Sequence, residues 1–333
     1  MTAAAARGGS SASAPLRVAV AGAGHLGSFH AEKYAAMPEV RLVAIADPVR
    51  GRAVRAAERA RKAGPGAEGV EVVGDVRALV GRADAVSVAV PTHLHHEVAG
   101  LLLDAGVDVL VEKPLAAGVG EARDLIARAA AGGRVLAVGH LERFNPAVVA
   151  LAGLLDEPMF IEVHRLGVFS ERGTDVDVVR DLMIHDIDVL LNFVTAPLDD
   201  VRAVGVPVVG GTIDIANARL EFANGCVANV TASRVSRERM RKIRFFQRDL
   251  YVSVDYQAQE LALVRRVPPG HPGDLAEIVG EQRALERRDA LADEVAAFVE
   301  AVRTRNRPPV SGEDGLRALE VAERIVEAMR PYA

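Results

Sequence analysis

A run of small apolar residues that breaks into glycines constrains this chain more than any other feature. Val18-Ala19-Val20-Ala21 leads straight into Gly22-Ala23-Gly24-His25-Leu26-Gly27. The first four residues suit a buried strand, and the spacing after them is G-x-G-x-x-G. That turn needs a strand before it and a helix behind it. Gly22 allows the tight turn, Gly24 lets the backbone approach a pyrophosphate, and Gly27 lets the helix pack closely on the sheet. The helix opening near His25 carries Leu26, Phe29, His30 and Tyr34. Its unpaired N–H groups and positive dipole end suit phosphate oxygens. Asp47 stands 20 residues after Gly27, at the end of the apolar run Val40 to Ala46. An acid there accepts the ribose hydroxyls of NAD and repels the extra phosphate of NADP. Arg50 and Arg52 lie close enough to weaken that discrimination. NAD is therefore the expected cofactor, on Gly22, Gly24, His25, Leu26, Gly27 and Asp47.

A second motif lies further along. Val109-Leu110-Val111 runs into Glu112-Lys113-Pro114, which places a lysine just past another apolar strand. Ligands of open parallel sheets sit at the carboxyl ends of the strands. Both motifs are expected to face one crevice, with Lys113 over the reactive end of the dinucleotide. Between them, strands and helices alternate: a helix over 50–62, a strand over 71–73, a strand over 85–90 ending at Pro91-Thr92, and a helix over 93–105. A helix over 121–131 and a strand over 135–138 continue the series. This alternation predicts an α/β fold with a doubly wound parallel Rossmann sheet. After about residue 155 the pattern changes. A strand over 159–165 and a helix over 178–193 precede several strands between 201 and 267 without helices, which predicts an open, mainly antiparallel or mixed sheet. Two charged helices, about 288–303 and 315–329, close the chain.

The 333 residues suggest two domains. The expected division is a disordered Ala/Ser/Gly tail over 1–15, a dinucleotide domain over 16–140, and a substrate-binding and oligomerisation domain over 141–333. The last helices are expected to pack back on the first domain. A net charge of −5 argues against nucleic acid as a partner. The single cysteine, Cys226, cannot form an internal disulfide and fits a reducing cytoplasm. No apolar run approaches the ~20 residues of a membrane span.

The segment Asp181-Leu182-Met183-Ile184-His185-Asp186-Ile187-Asp188 holds the remaining chemistry. Read as a continuous helix, it puts Asp181, His185 and Asp188 on one face. A histidine flanked by carboxylates can be held in one tautomer and act as a general base. Lys113, His185 and Asp181 form the expected catalytic set; whether histidine or lysine takes the proton stays open. His93-Leu94-His95-His96 could supply metal ligands together with His185, but no H-E-x-x-H pattern or cysteine pair accompanies them. No metal is expected. Pro91, Thr92 and His95 are expected to pass the cofactor, and Glu112 to lie beside it.

These motifs together resemble the Gfo/Idh/MocA family of NAD(P)-dependent oxidoreductases over nearly the whole chain after the tail. Ala21 to Gly27 is similar to its nucleotide turn, and Glu112-Lys113-Pro114 is its most specific motif. Pro91-Thr92-His93-Leu94-His95 is similar to a proline-asparagine-x-x-histidine segment, with threonine for asparagine. Asp181-x-x-x-His185 is similar to its aspartate-x-glycine-x-histidine helix, with Met183 for glycine. Pro309 to Gly315 also fits. The resemblance implies a Rossmann domain followed by an α/β domain with a large open sheet, often used for oligomerisation, so a homodimer or homotetramer is expected. Gly139 to Pro146 and Ser233 to Phe246 resemble the family's UDP-N-acetylglucosamine 3-dehydrogenase branch, whose 3-keto product is converted by an aminotransferase for lipid A. That likeness implies a sugar-nucleotide substrate contacted by Lys113, Arg143, Asn145, His185 and Arg234, since a guanidinium can clamp a diphosphate. The alternatives are a dehydrogenase of another sugar or polyol, such as an inositol, and a non-catalytic NAD-binding sensor.

Overall fold

A computed structural model describes residues 14–169, 176–209, 211–269 and 275–329. All but the last two residues of the expected disordered tail lie outside the described residues. The chain forms two compact units, one ending at Ala89 and the other starting at Val90. That division falls inside the range expected for the dinucleotide domain.

The first unit contains β1 (Leu16–Ala21), α1 (His25–Ala36), β2 (Val40–Ala46), α2 (Arg50–Ala63), β3 (Glu71–Val73) and β4 (Ala85–Val88). The strands are parallel in the order β3-β2-β1-β4. β1 has neighbours on both edges, and Val18, Ala19 and Val20 are fully buried. This explains why it reads as an unbroken run of small apolar residues rather than an alternating one. α2 buries Ala53, Ala56, Ala57 and Ala60, a helical stripe whose small side chains allow close packing. Ser87 is buried in β4 and meets both Tyr34 (2.7 Å) and His30 (3.1 Å) from α1.

The second unit begins with α3 (His95–Asp104), β5 (Asp108–Glu112), α4 (Val119–Gly132) and β6 (Leu136–Gly139). β5 and β6 are parallel, with Glu112 opposite Gly139. The six parallel strands of the two units are those of the expected Rossmann fold. A short helix α5 (Pro146–Val149) and β7 (Phe160–Leu166) follow, then a π-helical turn, Val179–Met183, which leads into α6 (Ile184–Phe193). β8 (Leu198–Val206), β9 (Ile215–Phe222), β10 (Val227–Ser233), β11 (Met240–Gln247), β12 (Leu250–Asp255), β13 (Glu260–Val267) and β14 (Glu277–Ala284) complete an eight-stranded sheet with β7. Its order is β14-β13-β12-β11-β7-β10-β9-β8, antiparallel except for β7 beside β10. The open sheet is therefore mixed, and β14 carries it beyond the range expected from sequence. Residues of β10, β11 and β12 alternate between buried and less buried. The buried face, including Ile161, Val163, Val230, Phe245 and Val252, packs with Ile187 and Leu190 of α6. α7 (Ala290–Thr304) and α8 (Gly312–Ala328) end the described chain. A capping box between Ser311 and Asp314 starts α8, which packs on α4, α6, β6 and β8.

Two glycines of the first turn separate folding from ligand binding. A Cβ on Gly27 would strike the Gly22 carbonyl, whereas a Cβ on Gly24 would meet nothing within 4 Å. Gly27→Ala is expected to lower unfolding free energy by about 1–3 kcal/mol through overpacking. Gly24→Ala, at an extended N-cap, should cost under about 1 kcal/mol. Urea unfolding of the cofactor-free protein checks this; equal losses would contradict it.

Candidate active site

In the first unit the glycine turn has the form a pyrophosphate requires. Gly22 holds φ at 94°, a conformation that favours glycine. Gly24 caps α1, and Gly24, His25 and Leu26 are exposed around the start of the helix. The open space over Gly24 leaves room for a ligand to approach the backbone. Asp47 follows the last residue of β2 and is buried; its Oδ2 accepts from Ala23 N at 2.7 Å and its Oδ1 from Val49 N at 2.8 Å. A carboxylate oxygen can accept more than one bond, so capacity for ribose hydroxyls remains. These residues fit a bound dinucleotide.

The second unit assembles a cationic and imidazole cluster. Lys113 follows the end of β5, and its Nζ donates to the Asp181 carbonyl oxygen at 2.6 Å, with the Asp181 carboxylate at 3.5 Å. Asp181 lies in the π-helical turn, where the backbone is wound more widely than in an α-helix. Such turns occur at functional sites because they re-aim side chains and carbonyls. The wider winding also separates residues that a regular helix would align. Asp181 meets Lys113, whereas Asp188 is buried with its carboxylate 3.9 Å from Arg143. The single polar face expected from i, i+4, i+7 spacing is divided. His185, one residue into α6, is partly buried, and its Nδ1 is fully buried with no protein partner. Burial, and then the nearby Lys113 and Arg165 charges, push its imidazole well below the usual histidine range. It is therefore neutral at physiological pH.

The strongest local charge pair involves residues that sequence reasoning did not single out. Arg165, buried on β7, forms a fork with Asp186 (Nε to Oδ2 2.5 Å, Nη2 to Oδ1 3.0 Å), reaches Glu142 at 3.0 Å, and stacks 5.2 Å from the Tyr256 ring centroid. Burial opposes its charge, but Asp186 and Glu142 more than compensate and hold it protonated. Arg165 also lines a cavity of about 420 Å³ with Asp181, Arg234, Arg239, Arg241 and Gln257. Arg241 lies directly opposite Arg165 across the β7–β11 pair. No ion pair among the described residues engages Arg239 or Arg241. Arg241 is exposed to solvent; partial desolvation beside the sheet, then Arg165, lowers its pKa. Arg239 and Arg241, two residues apart, were the available sequence signal; the pairing of Arg241 with Arg165 on β7 was not.

Other expected site residues are engaged by the fold, Arg234 while also lining the cavity. Arg143 donates to the Pro309 carbonyl at 3.1 Å. Asn145 caps α5 by accepting from Ala147 N and donates to the Tyr256 carbonyl at 3.0 Å. Arg234 is buried, donates to the Val176 and Ile213 carbonyls, and lies 3.4 Å from Asp214. His95 is pinned between the Pro114 and Val90 carbonyls at 2.8 and 2.9 Å, and His96 meets Asp124 at 2.6 Å. The two histidines serve separate contacts. Pro91 and Thr92 begin a 3-10 turn, and Glu112 is buried with its Oε2 3.3 Å from Lys113 N. No helix among the described residues is long and apolar enough to cross a membrane.

The chain is similar to known proteins over most of its length. Residues 16–140 match the oxidoreductase family with an NAD-binding Rossmann fold, and residues 121–250 match the GFO/IDH/MocA C-terminal domain. The UDP-N-acetylglucosamine 3-dehydrogenase of Acidithiobacillus ferrooxidans is 40% identical, over 95% of this chain and 98% of that protein. A solved structure of that enzyme, GnnA, matches with a TM-score of 0.86 at 39% identity, covering 94% of this chain and 97% of the other. A levoglucosan dehydrogenase solved with NADH and levoglucosan shares the fold, with a TM-score of 0.81 at 21% identity over 94% and 97% of the two chains.

A buried acid behind the lysine gives a pH test. Glu294 of α7 is 2% exposed, both its oxygens lack protein partners, and burial, with Glu112 and Asp188 nearby, pushes its carboxyl well above the usual range. Its favourable contribution is therefore complete below the ordinary glutamate pKa and is lost as pH rises toward the raised one. Glu294→Gln, which needs no buried charge, should gain stability relative to the unmodified protein as pH rises above ~5, by up to about 1.4 kcal/mol per pH unit. Thermal melts between pH 5 and 8 measure this; a constant difference would contradict it.

Proposed function

The chain belongs to the Gfo/Idh/MocA family of NAD-binding oxidoreductases, and from that premise we propose that its substrate is UDP-N-acetylglucosamine, oxidised at the 3-hydroxyl. The protein is an oxidoreductase acting on a CH–OH group with NAD. The observation that carries the finer reading is the arginine-lined cavity beside Asp181. Arg239 and Arg241 have no carboxylate partner among the described residues, and like charges opposed across a strand pair are unfavourable. Both are exposed at the cavity, Arg241 opposite Arg165, so a diphosphate there supplies the counter-charge that the protein leaves out. An inositol brings no anion to that cavity, and a non-catalytic sensor has no use for Lys113 beside a neutral imidazole. The enzyme of Acidithiobacillus ferrooxidans, similar along its whole length, carries this activity in its name.

When bound, NAD would supply the hydride acceptor for the carbinol carbon. In the reading proposed here, His185 takes the hydroxyl proton, because a neutral imidazole is ready to accept one. Lys113, held by the Asp181 carbonyl, stabilises the developing alkoxide as a fixed cation in a water-poor site. The surrounding cations that depress the basicity of His185 are partly offset when an anionic substrate enters. Asp47 favours NAD over NADP through the adenosine ribose. The 3-keto product suits an aminotransferase of the kind that supplies 3-amino sugars for lipid A precursors.

Lys113→Ala should reduce kcat by about 10²–10⁴-fold while the melting temperature changes little, because the lysine is at the site and not in the apolar core. Near-normal kcat would remove lysine from the chemistry.

The substrate reading is tested by cofactor reduction at 340 nm with an aminotransferase present to consume the ketone. UDP-N-acetylglucosamine should turn over, and free N-acetylglucosamine should lose much of the rate, because remote binding energy positions the sugar. Arg241→Ala should raise KM for the nucleotide sugar about tenfold or more, without weakening NAD, for loss of a charge-assisted contact. Equal turnover of the free sugar or of an inositol would overturn the assignment.

A further inference from the structure

His140 occupies the position after β6 that Lys113 occupies after β5, and the two strands pair in register up to Glu112 and Gly139. It is 1% exposed, and neither ring nitrogen has a hydrogen-bond partner among the described residues. Buried polar groups in folded proteins are matched by protein or by bound water, and a buried water needs two to four polar partners. The buried Nδ1 of His185 is a third such nitrogen. His140 opens the 3-10 turn Leu141–Phe144, which packs against α6, the helix that carries His185; His185 senses His140, and each senses Lys113. Asp181, the residue expected to orient His185, is instead engaged with Lys113. The group that fixes the tautomer of His185 must come from elsewhere.

We propose that His140 is the positioning residue for His185, holding a buried water that accepts the Nδ1–H of His185 and hydrogen-bonds to the Lys113 ammonium. Nδ1–H fixed in this way leaves Nε2 as the acceptor for the substrate proton. The arrangement requires a neutral His140, which can donate from one nitrogen and accept at the other. Burial, with Lys113 and Arg143, lowers its pKa to about 3; Glu112 and Asp314 oppose this only in part. On the neighbouring α7, Glu294 is the buried acid near Glu112. Because this assignment rests on His185 as the base, its test is chosen to be readable without turnover.

Nitrogen-15 NMR of histidine-labelled protein reports each tautomer directly. In the unmodified protein His185 should be a single Nδ1–H tautomer and His140 neutral from pH 5 to 8. His140→Leu should convert His185 to a tautomer mixture, and His140→Asn, which keeps a donor and an acceptor, should restore it. With UDP-N-acetylglucosamine, His140→Leu should lower kcat about 10- to 100-fold, the scale for losing a partner that orients a reacting side chain, with KM little changed. An Nε2–H tautomer in the unmodified protein overturns the proposal, even if the leucine variant does not fold. So does an unchanged tautomer in His140→Leu. A His140-dependent tautomer without turnover of the nucleotide sugar would instead leave the positioning role intact and remove the substrate assignment.

Discussion

The contact between Lys113 and the Asp181 carbonyl is the constraint on which the second unit's site depends. It joins the end of a parallel strand to a π-helical turn 68 residues later. A backbone carbonyl is a fixed acceptor, so the lysine is held by the fold rather than by a movable side chain. The turn can offer that carbonyl because its winding departs from the α-helical ladder. The same departure sends Asp181 to the lysine and leaves the following helix to present His185 and Asp186 separately. One local irregularity therefore distributes three polar residues among three tasks.

Charge burial is the second theme. Arg165 is enclosed, yet its fork with Asp186 and its bond to Glu142 satisfy its donors. Removing one partner of such a group is costly, on the order of 3–5 kcal/mol, because a buried charge is left uncompensated. The network keeps Arg165 protonated beside the cavity, and that guanidinium helps hold His185 neutral. Arg241 faces it without a carboxylate partner among the described residues. An anion is the ligand class that such a surface favours, whereas a neutral polyol gains little from it.

Much of this architecture was legible in the chain. The strand into Gly22-Ala23-Gly24, the alternation that follows, and Asp47 after an apolar run all rest on local rules, and the turn and its strands appear where those rules place them. Lys113 and Asp181 were also legible as chemistry, because a lysine past a buried strand and an acid beside a histidine are unusual in sequence. What was not legible depends on long-range pairing. The π-helical turn has no marker in Val179 to Met183. Arg165 reads as one residue of a strand until the sheet brings Asp186, Glu142 and Tyr256 around it. Asn145 looked like a substrate contact, but its side chain is engaged by α5 and Tyr256. His140 lies inside the Gly139 to Pro146 motif, and nothing in that motif shows that its ring is buried without a partner among the described residues.

The proposed reaction removes hydride from C3 of a nucleotide sugar. Its most direct measurement uses UDP-N-acetylglucosamine carrying deuterium at C3, incubated with NAD, with the reduced cofactor analysed by mass spectrometry. Deuterium is expected in the cofactor from the C3-labelled substrate and none from substrate labelled at C4. Cofactor reduced without deuterium from C3, or with deuterium from C4, would contradict it.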